Sequence, residues 1–214
     1  MQINIMATQQ PLSVQQNLTI RLLRVLRYNK ARIERALTLM PEKHKPLFHV
    51  LPFLVHVNHE ALPGYIAPLS SGETVPFGIS NYSFRPDIEK ALLRCFPSES
   101  YLFSDIKQIW PRQRAIESLV LMGSVGTIAQ TDDSDFDFWV CIEGNRFSDT
   151  VLSLLQEKLT AIEKWADNIF GIEVHFFLSE INKVKENDFG IAEGESAGSA
   201  QALFLKAEFY NTNI

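Results

Sequence analysis

The sequence predicts an α/β (α+β) chain, a small mixed β-sheet with helices packed around it and a helical N-terminal extension. Three observations carry this reading. Apolar runs at 118–122, 135–142 and 172–178 have the length of strands, and the second bears acids at alternate positions. A long amphipathic pattern at 148–169 separates the second run from the third. Upstream of 118 the pattern is helical or irregular throughout.

Taken in order, 1–11 is polar and expected to be disordered. It has no basic stretch followed by an apolar one, so it is not a signal peptide. A helix is expected over 12–40, where Leu18, Leu22, Val25, Leu26, Ile33 and Leu37 recur at helical spacing. The Arg and Lys residues of 21–35 read as its wet face, and Pro41 ends it. A second helix covers 44–58, kinked or restarted near Pro52. Pro63, Gly64, Pro68, Gly72, Pro76 and Gly78 make 61–80 irregular. Helices are expected at 85–95, after Pro86, and at 101–117, interrupted at Pro111. The strand at 118–122 leads into a turn and short helix at 123–131. Ser148 is the expected N-cap of the helix at 148–169. Its stripe is Val151, Leu154, Leu155, Leu159, Ile162, Trp165, Ala166 and Ile169, and Gly171 lies just beyond its C-cap. A loop rich in Gly, Ser and Glu follows at 185–200, then a helix at 202–210. The domain organisation expected is 1–11 disordered, 12–100 a helical extension and 101–214 the functional core.

Composition narrows the classes. Apolar residues make up 46%, with fifteen Phe, enough for a sizeable core. Twenty Lys and Arg against twenty-five Asp and Glu give a net charge of −5, which disfavours a nucleic-acid partner. Only Cys95 and Cys141 are present, so no disulfide scaffold is implied and a reducing cytoplasm fits. The most apolar stretch, 47–57, is about eleven residues and is broken by Pro52 and two His, too short for a membrane span. No Gly-x-x-x-x-Gly-Lys-Ser/Thr or Gly-x-Gly-x-x-Gly pattern occurs, so P-loop and dinucleotide readings fail.

The chemistry lies in Gly123-Ser124 followed by Asp135-Phe136-Asp137. In a strand, residues i and i+2 share a face, so Asp135 and Asp137 are expected to point one way and Phe136 and Phe138 the other. Adjacent carboxylates in a half-buried strand repel and lose hydration, and a hard cation such as Mg²⁺ relieves both costs. Glu173, opening the third strand, becomes a third acid if that strand pairs with the second. Three acids over two strands are a minimal two-metal site for in-line phosphoryl displacement. Gly123 admits a phosphate close to the backbone, and Ser124 is expected at a helix N-terminus that favours anions.

This order of elements resembles the polymerase-beta-type nucleotidyltransferase fold. Met122-Gly123-Ser124, the run Ser134-Asp135-Phe136-Asp137-Phe138-Trp139-Val140-Cys141 and the strand Glu173-Val174-His175-Phe176-Phe177-Leu178 further resemble the catalytic region of class I (enterobacterial-type) adenylate cyclases. So do His59-Glu60-Ala61-Leu62-Pro63-Gly64-Tyr65, Gly194-Glu195-Ser196-Ala197-Gly198-Ser199-Ala200-Gln201 and Glu208-Phe209-Tyr210. The resemblance implies conversion of ATP to cyclic AMP and pyrophosphate with two Mg²⁺, or Mn²⁺ in their place. Asp135, Asp137 and Glu173 would hold the metals, Glu173 would help activate the ribose 3′-hydroxyl, and Gly123 and Ser124 would cradle the β and γ phosphates. Family members are much longer, so a C-terminal regulatory region is an expected further partner within the same polypeptide.

Several residues stay open to two readings. Trp139 either stacks on a nucleotide or packs in the core. Ser199 and Gln201 either touch the nucleotide or shape a loop. His175 either contacts a phosphate or is a satisfied histidine near the core, and His56 and His59 read as packing residues rather than a metal pair. The alternatives to a cyclase are transfer of a nucleotidyl group to another hydroxyl and a non-catalytic nucleotide-binding module.

Overall fold

The computed structural model describes residues 13–70, 72–112, 114–186 and 207. Six α-helices are formed among them: α1 Val14–Leu39, α2 Leu47–His56, α3 Pro86–Cys95, α4 Ser100–Ser104, α5 Asp149–Phe170 and α6 Ile181–Lys185. Three strands, β1 Ile116–Met122, β2 Phe136–Ile142 and β3 Val174–Glu180, form one sheet of order β1-β2-β3. β1 runs antiparallel and β3 parallel to β2, so the sheet is mixed, as expected. Parallel neighbours need a crossover, and α5 provides it.

α5 forms where its caps demand. Ser148 Oγ accepts from Val151 N at 3.3 Å, and Gly171 closes the helix in the left-handed region at φ 62°. Its stripe is buried through Leu155, Leu159, Ile162 and Ala166, although Ile169 in the last turn is exposed. Phe136, Phe138, Val140, Val174 and Phe176 fill the core face of the sheet. Phe138 stacks on Phe136 and on Phe176, with ring centroids 6.1 and 5.4 Å apart. Among the described residues β3 is an edge strand, and Glu163 of α5 caps part of that edge by accepting from Phe176 N at 2.8 Å. On the opposite face Met122, Trp139 and Cys141 pack with Val184 of α6.

Three elements differ from expectation. The stretch expected as helix over 101–117 is α4, a 3₁₀ turn at Ile106–Gln108 and then extended chain. Gly78 O accepts from Ile116 N at 3.0 Å and Ser80 N donates to Ile116 O at 2.8 Å, which draws the chain after Pro111 into the sheet. α2 runs unbroken through Pro52. In α1 the buried positions are Arg32 and Ala36, while Leu18, Leu22, Val25 and Leu26 are each more than half exposed, so the expected stripe covers the core only in its C-terminal half. The expected disorder of 1–11 lies outside the described residues. So do the loop at 185–200 beyond its first two residues and the helix at 202–210 apart from Ala207. No helix of the described residues is long and apolar enough to cross a membrane.

The histidine pair is structural. His56 is fully buried, its Nδ1 accepts from Ile79 N at 2.8 Å, and its ring lies 4.2 Å from that of Trp110. Burial, aided by Arg114, holds it neutral, with a pKa lowered to about 4. His59 Nδ1 accepts from Ala61 N within its own turn.

Lys158 stands on the apolar face of α5 and is buried. Its Nζ donates to Val57 O at 2.7 Å and to Gly64 O at 3.1 Å, tying α5 to the irregular segment after α2. Burial lowers its pKa from 10.5 to about 7. Between those two values the unfolded chain binds the proton that the folded chain has released, so stability rises with pH across this window. Melting temperatures should therefore climb between pH 7 and pH 9, by roughly 2 kcal/mol of stability from this group. Lys158→Met should flatten the climb. Identical slopes in the two proteins would show that another group titrates.

Candidate active site

The site begins where β1 stops. Gly123 and Gly126 both take positive φ, 81° and 76°, and the chain between them is a turn. The short helix expected at 123–131 is absent, and Ser124 is not at a helix N-terminus. Two left-handed residues three positions apart cannot propagate a right-handed helix. Instead Ser124 O accepts from Thr127 N at 2.9 Å, and Gln130 Oε1 accepts from Gly126 N at 2.7 Å. Ser124 Oγ donates to Ser134 Oγ at 2.8 Å, and Ser134 Oγ accepts from Thr131 N at 2.9 Å. Those bonds tie the Gly-Ser turn to the loop that delivers Asp135.

α1 clamps the turn from outside. Arg32 Nη2 donates to Val125 O at 2.7 Å, and Gln130 Nε2 donates to Ala36 O at 3.2 Å. Arg32, expected on the wet face, is only 5% exposed. Burial lowers its pKa, with Tyr28 acting the other way, and an arginine keeps its charge regardless. Helical periodicity assigns Arg32 by its polarity. Its carbonyl partner is 93 residues away and leaves no local signal.

Asp135 and Glu173 each lie one residue before a strand. Phe136 N donates to Glu173 O at 3.1 Å, which sets the two strand entrances side by side. In the ladder Asp137 is opposite Met122 on one side and His175 on the other. Burial of Phe136, Phe138, Val174 and Phe176 on the core face leaves the alternate residues, the acids and His175, to the other face. Asp135, Glu173 and His175 each offer a ligand atom, and the three atoms lie within 4.8 Å of one another. Glu173 Oε2 is 3.7 Å from His175 Nε2. The trio expected from the sequence is Asp135, Asp137 and Glu173. The structure brings Asp135 and Glu173 together with His175, and Asp137 stands next to them in register. The donor set, two carboxylates and an imidazole with a third carboxylate adjacent, fits a divalent cation.

A cleft of about 560 Å³ opens beside these acids. Asp132, Asp133, Asp135 and Glu173 line it together with Lys43 and His44. Its size is that of a small-molecule site. Lys43, His44, Asp132 and Asp133 are additions that the sequence reading misses. Asp132 and Asp133 carry a local signal, an acidic pair just ahead of Asp135, whereas the loop after α1 that brings in Lys43 carries none.

Other expectations fare differently. Trp139, open to stacking or packing, is 3% exposed and packs with Met122, Cys141 and Val184. His175 is not near-core, since its side chain is 47% exposed. Ser199 and Gln201, with the 194–201 and 208–210 motifs, lie outside the described residues.

Comparison with known proteins adds the family. The family model described as "Adenylate cyclase NT domain" matches residues 17–214. The chain is 34% identical over 188 residues to an adenylate cyclase of Escherichia coli (strain K12), covering 87% of this chain and 21% of that protein. It is 35% identical over 190 residues to an adenylate cyclase of Pasteurella multocida (87% and 22%), and 33% identical over 194 to one of Yersinia intermedia (87% and 21%). It thus spans about a fifth of the length of these relatives. No solved structure matches the chain.

Proposed function

The chain belongs to the adenylate cyclase N-terminal domain family, and on that premise we propose that it is the catalytic region of an enzyme that converts ATP to cyclic AMP and pyrophosphate. The observation that carries this is the strand register. Met122 opposite Asp137, and Phe136 N bonded to Glu173 O, place the Gly-Ser turn, both aspartates and Glu173 at one end of the sheet. Asp135, Asp137 and Glu173 would hold two Mg²⁺, with Mn²⁺ able to substitute. Bound ions supply charge neutralisation on the triphosphate and make the ribose 3′-hydroxyl easier to deprotonate.

The chain's own residues do the rest. Gly123, without a side chain, lets the β and γ phosphates approach the turn, and Ser124 borders them. Glu173 accepts the 3′ proton as that oxygen forms its bond to the α-phosphorus. The bond from the α-phosphorus to the bridging oxygen of the β-phosphate breaks, and pyrophosphate leaves. Lys43, in the lining of the same cleft, brings a positive charge toward the departing anion. The remaining four-fifths of the relatives' length is the natural place for regulation of this centre.

Incubation of the protein with ATP and Mg²⁺, with products separated chromatographically, tests the reading. Cyclic AMP formed without any acceptor supports it. Product that appears only when a second hydroxyl compound is added would replace the cyclase with a nucleotidyltransferase. Calorimetric binding of ATP and Mg²⁺ with no product would leave a non-catalytic module.

A further inference from the structure

We infer that His175 is a metal ligand, so that Asp135, Glu173 and His175 together take a divalent transition ion of the Co²⁺ or Zn²⁺ type that carboxylates alone would not favour. The inference rests on the reading of this acidic cluster as a metal site and adds a residue and a preference to it.

The geometry is already close to ligation. Donor atoms bound at about 2.1 Å lie roughly 3–4 Å apart around one ion, and His175 Nε2 is 3.7 Å from Glu173 Oε2. All three donor atoms fall within 4.8 Å of one another. Strand alternation holds the imidazole on this face, because Val174 and Phe176 on either side of it are 3% and 5% exposed and locked into the core. The other histidines are engaged elsewhere. His56 accepts from Ile79 N, His59 from Ala61 N, His44 lies 3.3 Å from Phe170 O and His49 faces Asp87. His175 instead faces Glu173.

The donor type sets the preference. Mg²⁺ is a hard ion that takes oxygen ligands and keeps its waters. Neutral imidazole suits Zn²⁺, Co²⁺ and Ni²⁺, whose affinity for nitrogen donors exceeds that of the alkaline-earth ions. His175 as an added ligand therefore raises transition-ion affinity, whereas Mg²⁺, which keeps water in that position, is left almost untouched.

Calorimetric titration of the 214-residue protein with CoCl₂ and, separately, MgCl₂, together with the visible spectrum of the Co²⁺ form, tests this on wild type, His175→Ala and Asp135→Asn. Even an outer-shell partner of a ligand is worth about 10–100-fold in metal affinity, so His175→Ala should weaken Co²⁺ at least about tenfold and change its spectrum. Its Mg²⁺ affinity should stay within about twofold. Unchanged Co²⁺ affinity and spectrum in His175→Ala would overturn the inference. Asp135→Asn reads the underlying site separately: it should weaken both ions. If Asp135→Asn weakens both and His175→Ala changes neither, the acidic site stands and His175 is no ligand. If wild type binds neither ion, both readings fall.

Discussion

Asp137→Asn should lower cyclic AMP formation by on the order of 10³-fold, since the charge stabilisation a bound ion provides is worth several kcal/mol and each 1.36 kcal/mol is tenfold in rate. The melting temperature should stay close to wild type. Asn has the same shape, and the ladder that pairs Asp137 with Met122 and His175 is made by the backbone. Removing one negative charge from the neighbourhood of Asp135 and Glu173 also relieves repulsion, which offsets the weaker hydrogen-bond acceptor that an amide presents. Product formation and thermal melting measured on the same preparation separate the two effects. Wild-type turnover in this variant would remove Asp137 from the metal site, whereas loss of folding would show that its role is structural.

Gly126→Ala should cost about 2–4 kcal/mol of stability and reduce turnover with it. Gly126 has φ +76°, and an added Cβ would lie 2.8 Å from the backbone oxygen of Arg32. That oxygen belongs to α1 and cannot yield without displacing the helix or the turn. The left-handed backbone alone accounts for about 1–2 kcal/mol of the cost. Gly72→Ala isolates that part, because Gly72 has φ +85° and nothing lies within 4 Å of its Cβ position. Urea unfolding of both variants decides the matter. Equal losses would mean that α1 does not press against the Gly-Ser turn.

These two variants mark what is and is not legible in the sequence. Asp135, Asp137 and Glu173 stand out because alternation along a strand is a local property, readable over a few residues. The same holds for α5, whose caps Ser148 and Gly171 and whose stripe repeat within one helix. The turn misleads because Gly123 alone is compatible with entry into a helix. Gly126, three residues on, reverses the chain, and the reason for it is the proximity of Arg32. Arg32 and Lys158 escape a local reading for one cause. A charged residue in a helix reads as solvated unless its partner is known, and both take backbone carbonyls distant in sequence. Trp139 stays between two roles because either face of a strand can be buried, and its packing against Val184 of α6 leaves no local signal.

By itself the sequence determined the strands and the acids they carry, the long crossover helix with both its ends, and the family resemblance, all of which rest on periodicity and short-range spacing. Tertiary structure decided the company those residues keep. It put His175 beside Asp135 and Glu173, brought Lys43 into the lining of the adjoining cleft, and made α1 the brace of the Gly-Ser turn. The reason is that register between strands and the docking of a helix depend on side chains far apart along the chain, whose summed packing and hydrogen bonding no local pattern records.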